Sequence, residues 1–259
     1  MKHKTILILT LLFLLIGCEV SGEQNHSSTY SSSTNYSQNE VTEFILKGIN
    51  EADALDITYK VKNQVDNQLL EITFYYVCNN SDNINDFEMS MLTFMKVNND
   101  NEINIAKSFY KNKEFYLSLL NIASGEHDLY KIIIDDTMSL DDLIDVTGMH
   151  FFYSPPSDDL FSNINQEVLD LANFKVENDF IYDYQGIVNK ANITMIKVNK
   201  ELTTIEITTS ELDVLDNPLD QIITLIPKFN NKFDIKFTDN KNDYQLITFE
   251  ELEEIINQE

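Results

Sequence analysis

Four histidines, two cysteines and 43 acidic residues are the groups in this 259-residue chain that could do metal, nucleophilic or acid–base chemistry. Zinc needs several His or Cys side chains at fixed spacing. His3 and His26 lie in the N-terminal segments, whereas His127 sits in a turn, Gly125-Glu126-His127-Asp128, and His150 precedes the apolar Phe151-Phe152. Neither neighbourhood supplies further ligands, so both read as loop and edge residues and no metal is expected. Two loops, Asn98-Asn99-Asp100-Asn101-Glu102 and Asp239-Asn240-Lys241-Asn242-Asp243, resemble calcium loops in composition. An EF-hand loop requires Gly at its sixth position and Glu at its twelfth. Counted from Asn98 these are Ile103 and Phe109, and counted from Asp239 the third position is Lys241. Both loops read as solvated hairpin turns. No Gly-x-Ser-x-Gly, no Ser-x-x-Lys with its partner motifs and no Cys/His pairing stands out. Six glycines leave no phosphate-cradling loop. Acid pairs such as Asp135-Asp136 and Asp141-Asp142 mark solvated faces. Cys78 follows Phe74-Tyr75-Tyr76-Val77 with no base beside it, and reads as a small core hydrophobe. No catalytic residue and no cofactor is expected, and the chain reads as non-enzymatic.

The remaining cysteine, Cys18, stands in a more informative segment. Lys2, His3 and Lys4 form a basic head, Ile6 to Ile16 is apolar except for Thr10, and the run ends in Leu15-Ile16-Gly17-Cys18. Head, apolar run and small residue are the parts of a secretory signal. Thr5 to Gly17 is too short for a permanent anchor, because a helix needs about 20 residues to span a bilayer. An ordinary signal-peptide cut would need a small-residue site, and the sole candidate is Gly17. With a cysteine directly after it, the segment resembles the bacterial lipoprotein signal, whose lipobox reads Leu, a variable residue, Gly or Ala, then Cys. The resemblance implies cleavage between Gly17 and Cys18, acylation of the Cys18 sulfur, and residence on the extracytoplasmic face of the cell membrane.

Loss of residues 1–17 removes Lys2 and Lys4, leaves 242 residues and takes the net charge from −25 to −27. All 18 basic residues are lysine. Arginine supplies the two-pronged grip on phosphate. Its absence, with so acidic a balance, excludes nucleic acid as a partner. Acidity also sets the chain against anionic lipid headgroups, so attachment to the membrane would come from the lipid on Cys18. With Cys78 alone in the folded part, no internal disulfide is expected.

Residues 18–39, dense in Ser, Thr, Asn and Gln, cannot bury enough apolar area to fold and read as a tether. Residues 40–259 read as one domain, with a candidate sub-boundary at Ser154-Pro155-Pro156-Ser157. Val41, Phe44, Ile45, Ile49 and Ala52 predict an amphipathic helix over 41–53. Period-two alternation follows at Ile57–Val61, Leu70–Tyr76, Phe87–Thr93, Ile103–Ile105, Phe115–Leu120 and Tyr130–Ile134, an antiparallel meander. Short helices are predicted after Ser139, over 160–171 and, from Leu219, Ile222, Ile223 and Ile226, after Pro218. Further strands are predicted near Phe174 and at 180–184, 193–198, 203–209 and 233–237. Thr248 and Glu251 form a capping box for a closing helix to Ile256. The fold class is α+β: a curved antiparallel sheet with an N-terminal helix and helices on one face.

This order, lipidated Cys18, tether, helix 41–53, then alternating strands rich in Met and aromatics such as Phe87-Glu88-Met89-Ser90-Met91-Leu92-Thr93-Phe94-Met95-Lys96, resembles the LolA/LppX-like half-barrel lipoproteins. The resemblance implies a hydrophobic ligand or lipid held between sheet and helices. Met89, Met91 and Met95, with Phe94, Phe109 and Tyr116, are candidates for lining such a cavity, the alternative being an ordinary core. Which residues touch a ligand stays open. The other function class is a surface lipoprotein that engages a protein partner and holds no ligand.

Overall fold

In a computed structural model the described residues are 36–65, 68–79, 85–134, 164, 169, 180–183, 193–212 and 218–258. The predictions at Cys18, Gly17, the tether to residue 35, Ser139, His150, residues 154–157 and the strand near Phe174 fall outside them. So does the helix at 160–171 apart from Ile164 and Leu169.

Helix α1 spans Gln38–Asn50. Ser37 caps it: the Ser37 hydroxyl accepts from the Glu40 N–H, and the Glu40 carboxylate accepts from the Ser37 N–H at 2.7 Å. That reciprocal pair satisfies two backbone donors that a helix start leaves open. Among the described residues eleven strands follow: β1 (Ala54–Val65), β2 (Gln68–Asn79), β3 (Glu88–Val97), β4 (Ile103–Lys111), β5 (Glu114–Leu120), β6 (His127–Ile133), β7 (Phe180–Asp183), β8 (Ile193–Asn199), β9 (Ile205–Leu212), β10 (Pro218–Lys228) and β11 (Gln245–Leu246). Helix α2, Phe249–Gln258, closes the chain. The Thr248 N–H donates to Glu251 and the Glu251 N–H to the Thr248 hydroxyl, so the predicted capping box is present.

The strands form one large curved mixed sheet in the order β11-β6-β5-β4-β3-β2-β1-β10-β9-β8-β7. Two meanders run outward from a central antiparallel pair, β1 with β10, in which Tyr59 lies opposite Ile223. Every pairing is antiparallel except β11 with β6. The expected curved sheet is therefore present, mixed rather than wholly antiparallel. The described residues are mostly sheet, with two α-helices and, within the stretch predicted as helix 160–171, helical Leu169.

The predicted helix after Pro218 is a correction: Pro218–Lys228 is strand β10. Leu219, Gln221, Ile223 and Leu225 are buried on one face, and Ile222, Thr224 and Ile226 occupy the other. With apolar residues on both faces of the strand, spacing alone fits helix as readily as strand, and the long partner β1 decides. The predicted strand 233–237 is likewise a correction: the segment joins no ladder, and the Ile235 N–H donates to the Phe233 carbonyl at 3.1 Å.

The two faces differ. The inner face carries Ile57, Tyr59 and Val61 of β1, Phe74, Tyr76 and Cys78 of β2, and Ile205 and Ile207 of β9, all buried in one cluster with Val41 and Ile45 of α1 and Leu252 of α2. Gly48 lets α1 approach closely, since a Cβ there would lie 2.8 Å from Ile205 Cδ1 and 3.1 Å from Pro227 Cγ. The outer face is charged, with Lys60 and Lys62 flanking Glu71 at 3.2 and 3.5 Å and Lys111 on Glu88 at 2.8 Å. It also has its own apolar cluster, described below.

Candidate functional site

Strand register sorts the six candidate lining residues. Met89, Met91 and Met95 lie on the inner face, because Met89 is paired with Cys78, Met91 with Tyr76 and Met95 with Ile72. Phe94, Phe109 and Tyr116 lie on the outer face, where Phe94 is opposite Thr73 and Phe109 opposite Tyr116. The structure thus does not bring the six together. Met89 is fully buried and belongs to the core.

Met91 and Met95 are different, for they are only partly buried. The inner face of β3–β6 reads Met91–Ser108–Leu117–Tyr130 across one row and Thr93–Ala106–Leu119–Asp128 across the next. Met91, Met95, Ala106, Leu117, Leu119 and Tyr130 all keep part of their surface, beside the closed core of Tyr76, Tyr110, Phe115 and Ile132. Ser108 is 2% exposed, and its hydroxyl has no hydrogen-bond partner among the described residues. A buried hydroxyl left without a partner costs about 1–3 kcal/mol. Methionine tolerates many apolar shapes, so this strip could receive a flexible apolar group.

The outer aromatics are engaged elsewhere. Residues 229–244 cross the outer face, and Ile235, Phe237 and Tyr244 pack against Phe109 and Tyr116. Ring centroids lie 4.4 Å apart for Tyr116–Phe237 and 5.2 Å for Tyr116–Tyr244. Ion pairs frame the rings. Glu114 accepts from Lys131, from Lys241 at 2.7 Å and from the Tyr116 hydroxyl at 2.8 Å. Burial by itself would push the Glu114 carboxyl up, but these three donors outweigh it and hold its pKa at about 2. Lys107 donates to both Asp239 oxygens, at 2.6 and 2.7 Å, and the Tyr244 hydroxyl donates to Asp239 at 2.8 Å. Burial, followed by the Asp239 carboxylate, pushes the Tyr244 phenol up. These groups hold the C-terminal segment to the sheet. They are partnered with one another rather than aimed at an open site.

The other sequence candidates resolve simply. His127 opens β6 instead of lying in a turn, and its Nδ1 is 2.8 Å from the Ser118 hydroxyl. Asn98, in the left-handed conformation at φ 54°, accepts from the Leu69 N–H through its side chain. In the second loop Asp239 is committed to Lys107 and Tyr244, and Asn240 caps a 3-10 turn at Lys241–Asp243. No group of three His, Cys, Asp or Glu side chains placed for a metal occurs among the described residues. Cys78 is fully buried and forms no disulfide there. Burial pushes its thiol up to about 12, against small opposing effects of Tyr76 and the Leu55 backbone. Two features were missed from sequence: Ser108 and the outer ring cluster. Ser108 carries no local signal, and the rings come from residues more than a hundred positions apart.

No helix among the described residues is long and apolar enough to cross a membrane. No protein-family model and no curated protein matches the chain. A solved structure of a DUF1329 family protein from Desulfovibrio piger aligns with 80% of this chain and 99% of its own, at 8% identity and a TM-score of 0.24. That likeness is too slight to carry an argument about fold or function.

Proposed function

We propose that this chain is a non-enzymatic lipoprotein, held at the extracytoplasmic face of the membrane through a lipid on Cys18, that binds a hydrophobic ligand or lipid on the inner face of its sheet. The observation that carries the reading is the strip of Met91, Met95, Leu117, Leu119 and Tyr130, partly exposed beside an otherwise closed core. Ligand sites are mostly apolar with a few placed polar groups, and here Ser108 is such a group. The lipobox Leu15-Ile16-Gly17-Cys18 supports the anchor. The test is mass spectrometry of small molecules extracted from natively expressed, purified protein. A bound apolar compound is expected, and its absence from repeated preparations would overturn the reading.

One observation favours the alternative, a protein-interaction module. On the outer face Tyr75 is 41% exposed and meets Phe94 edge-on at 5.8 Å, with Leu92 opposite Tyr75. Exposed aromatic pairs are over-represented at protein interfaces.

A further inference from the structure

The sheet segregates charge by face. β1, β3, β4, β6, β8 and β10 together carry Lys60, Lys62, Lys96, Lys107, Lys111, Lys131, Lys197 and Lys228. Register places every one of them on the outer face: Lys60 is opposite Thr73, Lys96 opposite Glu71, Lys131 opposite Tyr116, Lys197 opposite Glu206. His127, opposite Leu120, is on that face too. The inner face of β1–β6 has no cationic side chain, and the chain has no arginine. Its one charged group is Asp128, whose carboxylate accepts from the Asn121 side chain at 2.9 Å. Among the described residues, an anionic headgroup seated there would lose its water and meet apolar groups, the uncharged Ser108 and Thr93 hydroxyls and a like charge. An uncompensated charge in such surroundings is strongly disfavoured. A neutral oxygen, in contrast, would complete the Ser108 hydroxyl, which can both donate and accept.

Resting on the ligand reading above, we infer that the inner face takes an uncharged lipid: an apolar chain bearing a neutral hydroxyl or ester oxygen, seated along Met91 and Leu117 with that oxygen at Ser108. Fatty-acid anions and phospholipid headgroups are discriminated against by the missing cation.

Binding of radiolabelled 1-decanol, decane and decanoate to the purified full chain at pH 8 tests this. Decanol is expected to bind at least about tenfold more tightly than decanoate. Ser108→Ala is expected to weaken decanol about fivefold, to the level of decane, and to leave decane unchanged. Met91→Lys, at a partly exposed position, is expected to shift the preference toward decanoate, with the melting transition of each variant recording that it folds. Decanoate bound as tightly as decanol would overturn the inference while leaving the apolar-ligand reading in place. Decanol held equally well by Ser108→Ala would overturn the role of Ser108. Failure of all three probes to bind would overturn both.

Discussion

Asn79 holds Phe233 by both of its backbone groups. The Asn79 side-chain N–H donates to the Phe233 carbonyl at 3.0 Å, and the Phe233 N–H donates to the Asn79 side-chain oxygen at 2.8 Å. A buried amide at the end of β2 thus does the work of a missing strand and docks the start of the outer segment. It also donates to Glu88 at 3.0 Å. Asn79→Ala removes these bonds and strands two backbone groups. It is predicted to destabilise the protein by about 2–3 kcal/mol in urea titration. Asn79→Asp keeps the acceptor but sets a carboxylate against Glu88, and is predicted to cost at least as much.

The Glu114 cluster predicts a pH dependence. Its carboxyl ionises near 4.5 when unfolded and at about 2 when folded, so the native state binds the proton less readily. Its contribution to stability is complete above about pH 4.5 and is lost as pH falls toward 2. Glu114→Gln is predicted to lower stability at pH 7 and to flatten the acid side of the curve between pH 4.5 and 2, read by thermal melting across that range. An unchanged acid limb would contradict the assignment.

At Gly48 the close approach of α1 opposes helix propensity. An exposed helical Gly→Ala gains about 1 kcal/mol. Here the added methyl presses on Ile205 and Pro227, both buried. Gly48→Ala is predicted to lose about 1 kcal/mol instead, and Gly48→Leu considerably more, measured by urea unfolding.

Cys78 is predicted to be inert. Its thiol is fully buried and pushed up to about 12, and the thiolate is the reactive form. A maleimide at pH 8 should label it only after denaturation, as counted by intact mass.

The ends of the fold were legible from sequence because their signals are local. Thr248 and Glu251 are capping residues three apart, and the closing helix forms. The apolar spacing of Val41, Phe44, Ile45 and Ile49 showed the first helix, but its cap, Ser37 with Glu40, starts it at Gln38, inside the stretch expected to be tether. Alternation exposed β1 to β6 for the same reason. β10 was not legible, since Ile222 and Ile226 are apolar on the outer face and only pairing with β1 separates strand from helix. Alternation already separates Met91 from Phe94, three apart on one strand, but which face looks inward, and on which face Phe109 and Tyr116 fall, is set by the ladder. Phe237 on Tyr116 joins segments brought together solely by the tertiary fold.

The claim that an apolar ligand sits on the inner face is tested most directly by photo-cross-linking. The purified full chain is irradiated with a diazirine-bearing long-chain alcohol and the modified residues are mapped by peptide mass spectrometry. The account predicts adducts at Met91, Met95, Leu117 or Tyr130, lost on competition with unlabelled alcohol. Adducts confined to Tyr75, Leu92 and Phe94 on the opposite face, or none that competitor removes, would contradict it.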